Sequence, residues 1–130
     1  MPRPGNLERF DVEVSACAAS LAPLREALRA WLVRSRVADH VADDLTIATN
    51  EAVANAIEHG SRDGSATVRV RATRDGDALR IEVIDSGGGH RPHRDDPHRG
   101  RGLAVMRALT DSLVVDPTPG GTTVRLERAL

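Results

Sequence analysis

The chain contains no lysine: all 18 basic residues among its 130 are arginine. That absence excludes a P-loop nucleotide hydrolase and the usual protein-kinase fold, since both place a lysine ammonium on phosphate. Schiff-base chemistry on a lysine is excluded as well. There is no tyrosine, and Phe10 and Trp31 are the only aromatic residues, so the chain has no run of aromatics on which bases could stack. Cys17 is alone, which rules out an intramolecular disulfide and a zinc site built from cysteines. The net charge of -1 lacks the basic excess that phosphate contacts demand of a nucleic-acid binder. No run approaches the ~20 apolar residues needed to cross a bilayer, and the first residues lack an apolar signal core. A cytoplasmic protein, with no membrane and no direct nucleic-acid contact, is the expectation.

What is present describes one domain. At 130 residues and 40% hydrophobic content, a single core is expected over residues 10–130, with 1–9 as a loose leading segment. Phe10, Val12 and Val14 alternate with polar residues, the period of a half-buried strand. A first helix is expected from Ser20, which can cap it, with Leu24, Leu28, Trp31 and Leu32 at helical spacing. A second runs from near Asp39 to Gly60, and its inward stripe (Val41, Leu45, Ala48, Ala52, Ala56) is small enough for close packing on a sheet. The period then changes to two. Val68, Val70 and Ala72 form one strand and Leu79, Ile81 and Val83 the next, with Asp75-Gly76 marking the hairpin. Residues 86–101 read as a polar loop. A third helix follows with Leu103, Met106, Leu109 and Leu113 on one face. Val114 and Val115 read as a short strand, 117–121 as a turn, and Val124 and Leu126 as a last strand. This order predicts an α+β two-layer sandwich: a mixed, mostly antiparallel sheet with helices on one face.

Three groups of residues carry chemistry. Glu51 and Asn55 are four residues apart on the second helix, about 40° from each other around the axis, with His59 one turn further. A carboxamide oxygen is a hard ligand for Mg²⁺, and a carboxylate can take a proton from an attacking hydroxyl. The same pair also suits the solvated edge of an amphipathic helix. Asp85 closes a strand and is followed by glycines at 87–89. A carboxylate there can accept a hydrogen bond from an exocyclic amine, and Gly87 and Gly89 let backbone approach a flat ring. Gly100, Gly102 and Leu103 open the third helix, where exposed N–H groups favour anions. A dinucleotide fingerprint does not fit: position 105 is valine and the preceding segment is not a strand.

Taken in order, E-x-x-x-N, D-x-G-x-G and G-x-G-L resemble the boxes of the GHKL ATPase superfamily, which includes gyrase and histidine kinases. The segments NEAVANAIEHG, IEVIDSGGGH, RGRGLAVMRALTDSLVV and GGTTVRLER are most similar to the bacterial anti-sigma factor serine/threonine kinases, over about residues 10–128. The resemblance implies a Bergerat-type ATP-binding fold using ATP and Mg²⁺. It implies Glu51 as catalytic base, Asn55 as the Mg²⁺ ligand, and Asp85 for the adenine amine, with Gly87 and Gly89 beneath the ring. Gly100 and Gly102 would cradle phosphates, with Leu103 beside them and Arg99 and Arg101 bracketing Gly100. Thr123, with Thr122 as the next candidate, would support the adenine-binding aspartate.

The stretch His90–Arg99 falls where the family has its ATP lid. His90, His93 and His98 with Asp95 and Asp96 match no zinc-ligand spacing. The implied partners are an anti-anti-sigma (STAS-domain) substrate and a sigma factor, and the implied assembly is a homodimer. The competing expectation is a non-catalytic nucleotide-binding module that sequesters a sigma factor or another regulator. A sensor histidine kinase fits less well, because residues 1–9 cannot supply a phospho-accepting dimerisation helix.

Overall fold

The computed structural model describes residues 9–58, 66–86 and 97–130, with the backbone alone at 97–100 and 118. The elements, in chain order, are β1 (Arg9–Ser15), α1 (Leu21–Arg34), α2 (Asp39–Glu58), β2 (Thr67–Asp75), β3 (Ala78–Asp85), α3 (Pro97–Leu109), β4 (Ser112–Thr118) and β5 (Gly121–Ala129). The five strands form one sheet in the order β1-β2-β3-β5-β4. Every pairing is antiparallel, which corrects the expected mixed sheet. The helical crossover through α3 leaves β4 running in the direction of β3. However, β5 lies between them, so these two strands never pair.

The alternation in the sequence sorts the strands' two faces. Val68, Val70, Leu79, Ile81, Val83 and Leu126 point inward and are all but inaccessible. Leu28 and Leu32 of α1, Leu45, Ala48, Ala52 and Val53 of α2, and Met106 of α3 close over them. The tilted Phe10–Trp31 ring pair, with centroids 6.0 Å apart, joins β1 to α1. Arg69, Arg71, Arg80, Glu82, Arg125 and Glu127 point the other way and pair across strands. Arg69 grips both oxygens of Asp11, at 2.7 and 2.8 Å, and this hydrogen bond holds the Asp11 carboxyl below the usual carboxylate range. Arg80 pairs with Glu127 and Arg125 with Glu82. These pairs are exposed, so each adds little stability, but opposite charges in register specify strand alignment.

Several boundaries differ from the sequence expectation. Ser20 directly precedes α1, but its hydroxyl makes no capping bond, because a single 3₁₀ turn (Ala18–Ser20) runs straight into the helix. The third helix starts at Pro97, within what reads as loop. Proline suits a first helical position, where no N–H partner is available. Leu113 lies on β4 and not on the helix. Its spacing from Leu109 imitates a helical turn, yet the backbone leaves the helix at Thr110, and the Asp111 N–H donates to the Glu127 carbonyl at 2.8 Å. Pro117 belongs to β4 rather than a turn. An outermost strand tolerates a missing donor. Residues 1–8, His59 and the proposed stop at Gly60 lie outside the described residues.

The end of α1 is closed by a Schellman motif. The Val37 N–H donates to the Leu32 carbonyl at 3.1 Å and the Arg36 N–H to the Val33 carbonyl at 3.0 Å, with Leu32 and Val37 both buried. Arg36 therefore adopts φ +63°, a left-handed conformation that glycine accepts without strain. Arg36→Gly is expected to stabilise the domain by about 0.5–1 kcal/mol, seen as a higher urea midpoint at unchanged slope.

Candidate nucleotide site

Helix α2 carries Glu51 and Asn55 half-buried on the ridge that faces α3. A methyl group built at Gly102 would lie 3.3 Å from Asn55 Nδ2, 3.4 Å from Glu51 Oε2 and 3.6 Å from Asn55 Oδ1. The two side-chain heads thus converge on one point of the α3 backbone. Spacing alone placed them on one ridge, and the structure adds what they face. Gly102 lies in the second turn of α3, so by helical geometry its N–H is committed to a carbonyl four residues back. Its role here is space: it lets α3 approach the pair. That revises the expectation that Gly100 and Gly102 open the helix. Gly100 sits at the end of the first turn, behind the N–H groups of residues 98 and 99 that lack intrahelical partners by helical geometry.

Beside this pair is a pocket of about 440 Å³, counting its part open to solvent. Ala52, Asn55 and Ala56 of α2, Leu103 and Met106 of α3, Val83 and Asp85 of β3, Val115 of β4, and Thr122 and Val124 of β5 line it. Its walls are apolar and small on the α2 side, which leaves room for a flat ring. The polar groups stand at its ends. Asp85, half-buried at the end of β3, is at one side with Thr122, its register partner on β5. Asn55 and Glu51 are toward α3. A ligand that fits has a flat apolar body, a donor at one end for the Asp85 carboxylate, and a charged tail reaching Asn55 and the first turn of α3. An adenine nucleotide has this shape and polarity. The lining itself offers a carboxylate acceptor, a hydroxyl, and a carboxamide oxygen of the kind Mg²⁺ takes.

Thr123 faces away from this pocket. Strand alternation puts Thr122 and Val124 on the inner face, and Thr123 pairs with Ile84 on the outer one. The position beside Asp85 therefore falls to Thr122, the second of the two sequence candidates. Arg101 is exposed, and the backbone of Arg99 is helical while its side chain is outside the description. Gly87, Gly89 and the lid residues His90, His93, Asp95 and Asp96 also lie outside the described residues, as does the side chain of His98.

Gly121 was not singled out in the sequence, although the Gly120-Gly121 pair ahead of the threonines marks it. Its φ is +148°, and a Cβ added there would stand 1.8 Å from the Asp85 carbonyl oxygen. No L side chain fits. The backbone of β5 thus reaches Asp85 only because residue 121 is glycine.

The fold is a two-layer α+β domain of the ATPase type, with its pocket between the helical layer and the sheet. Residues 14–128 match the family model described as histidine kinase-like ATPase domain. The chain belongs to this GHKL-type family, within its anti-sigma factor group. It is 33% identical over 97 residues to the anti-sigma F factor of Thermoanaerobacter sp. strain X514, covering 65% of this chain and 68% of that protein. The anti-sigma F factor of Clostridium acetobutylicum is 31% identical over 98 residues, covering 66% and 68%. Among solved structures, the RsbU and RsbW domains of Rv1364c from Mycobacterium tuberculosis superpose with a TM-score of 0.77 at 29% identity. That match covers 94% of this chain and 32% of the mycobacterial one. A histidine kinase domain from Erythrobacter litoralis, at 20% identity and TM-score 0.61 over 90% of this chain and 62% of that one, shares the fold. Among the described residues no helix is long and apolar enough to cross a membrane.

Gly121→Ala is expected to cost 2 kcal/mol or more, on the order of a strained, clashing backbone site. Gly120→Ala, whose added methyl meets nothing within 4 Å, serves as its control and should unfold close to wild type in urea.

Proposed function

We propose that this domain binds Mg-ATP and transfers its γ-phosphoryl to a serine or threonine of an anti-anti-sigma (STAS-domain) protein, thereby controlling a sigma factor. The observation that carries this reading is the convergence of Glu51 and Asn55 at Gly102, beside a pocket that has Asp85 and Thr122 at its other side. The names of the relatives, anti-sigma F factor and RsbW domain, support the regulatory part.

In this reading Asp85 accepts a hydrogen bond from the adenine amine, with the Thr122 hydroxyl beside it. The walls of Ala52, Ala56, Val83 and Met106 exclude water from the ring faces. Asn55 offers its carboxamide oxygen to Mg²⁺, and the metal, when bound, neutralises charge on the phosphates. Glu51 takes the proton from the acceptor hydroxyl as that oxygen bonds to the γ-phosphorus. The bond from γ-phosphorus to the bridging oxygen breaks, and ADP leaves with the electron pair. Arg99 and Arg101 bracket Gly100 in the sequence, and a guanidinium is suited to phosphate or a partner's carboxylate.

A second reading has its own support. The pocket walls, Asp85 and Thr122 all serve binding, whereas transfer rests on Glu51. A module that sequesters a sigma factor or other regulator in a nucleotide-dependent way would use the same pocket without that carboxylate.

Two variants separate these readings. Asp85→Asn is expected to abolish the rise in melting temperature that saturating Mg-ATP gives the wild type. Glu51→Ala should keep that rise while phosphorylation of the STAS protein falls by about 10²–10⁴-fold, followed by phosphopeptide mapping. Regulation that survives Glu51→Ala unchanged favours the sequestering module. No thermal response to Mg-ATP in the wild type overturns the nucleotide reading.

A further inference from the structure

The solvent stripe of α2 contains one large apolar residue. Ile47 is 49% exposed, in a position where neither the core nor the nucleotide pocket uses it. Isolated apolar side chains on a surface are ordinary. Two features set this one apart. The first is its place: it precedes Glu51 by four residues, so the two side chains are neighbours on one ridge, a helical turn of about 5.4 Å apart. The second is its surroundings. Its other helical neighbours are Asp43, Asp44 and Asn50, and each is tied to a flanking element. Asp43 pairs with Arg29 of α1 at 2.8 Å, Asn50 accepts from Arg25 of α1 at 3.4 Å, and Asp44 pairs with Arg128 of β5 at 3.1 Å. The polar groups are drawn sideways, and Ile47 is left as an apolar centre inside a polar rim. That is the arrangement of an interface anchor.

We infer that Ile47 is the apolar anchor on which the protein acceptor docks, one turn from the base that receives its proton. The inference rests on the phosphoryl-transfer reading above. An acceptor hydroxyl placed on Glu51 brings the neighbouring acceptor surface over Ile47. A side chain two residues along an extended segment is about 7 Å away, and one turn along a helix about 5.4 Å, and either spacing reaches it. The occupant is therefore a protein segment with an aliphatic side chain at that distance from its serine or threonine. A small-molecule alcohol or water has nothing to place there.

The test compares wild type with Ile47→Gln, Ile47→Ala and Ile47→Leu, using a purified STAS-domain protein as acceptor. Glutamine leaves the charge around Glu51 unchanged and suits an exposed helix position. Four quantities are read: the Mg-ATP thermal shift, the kcat and the KM for the acceptor, and the acceptor Kd by calorimetry with a non-hydrolysable ATP analogue. The expected result is an unchanged thermal shift, kcat within about twofold, and KM and Kd raised about tenfold in Ile47→Gln and less in Ile47→Ala. Ile47→Leu should restore both. Wild-type KM and Kd in Ile47→Gln, with transfer intact, overturn the inference and leave the kinase reading standing. Acceptor binding that depends on Ile47 but without any transfer by the wild type supports the docking role and removes the kinase reading. No acceptor binding by the wild type overturns both.

Discussion

The close seating of α2 on the sheet is the constraint on which the rest depends. Ala48, Ala52 and Ala56 present almost no side chain to the strands, so the helix axis can come near Val83 and Leu126. Larger residues there would lift the helix and widen the gap in which the pocket lies. With the helix close, Ala52 and Ala56 become a wall, and Glu51 and Asn55 are carried to its rim, where Gly102 admits α3. The same economy recurs at β5, where Gly121 lets backbone touch backbone at Asp85. The site is shaped by side chains that are missing as much as by those present.

Much of this was legible in the sequence. The strand periods of 68–72 and 79–83, the alanine stripe, and the pairing of Glu51 with Asn55 follow from one-dimensional spacing, because burial on one face leaves a periodic trace. The parts that were not legible depend on direction or on distant partners. Whether Thr122 or Thr123 faces in is decided by parity with Val124 and Leu126, a signal the strand alternation carries, although the motif resemblance favours Thr123. Gly102 reads as part of the helix opening from its motif, yet the start of α3 at Pro97 places it in the second turn. Leu113 reads as helical because four-residue spacing recurs by accident across the break at Thr110.

The two layers divide their work by charge. On the outer face of the sheet, acids and arginines oppose each other across strands and cancel, so that face holds register and offers little net field. Helix α3 contains no acid among its residues, only arginine and histidine with apolar positions between, and its Leu103 and Met106 line the pocket. In the proposed chemistry a chain without lysine meets phosphate with guanidinium and backbone. Its single carboxylates at Glu51 and Asp85 remain for proton transfer and base recognition in the proposed chemistry.

The strand order has a consequence for how the domain is made. β5 is the last strand in chain order, yet it lies inside the sheet, between β3 and β4. As the chain leaves the ribosome, β1, β2 and β3 can assemble with α1 and α2, but β3 then presents a bare edge rich in isoleucine and valine. That edge stays open until residues 121–129 insert along it. Before then Asp85 has neither Thr122 nor Gly121 beside it, and Val124 is missing from the pocket wall. Nucleotide competence therefore arrives with the final insertion, and the nascent chain before it is a sheet still open to the wrong strand.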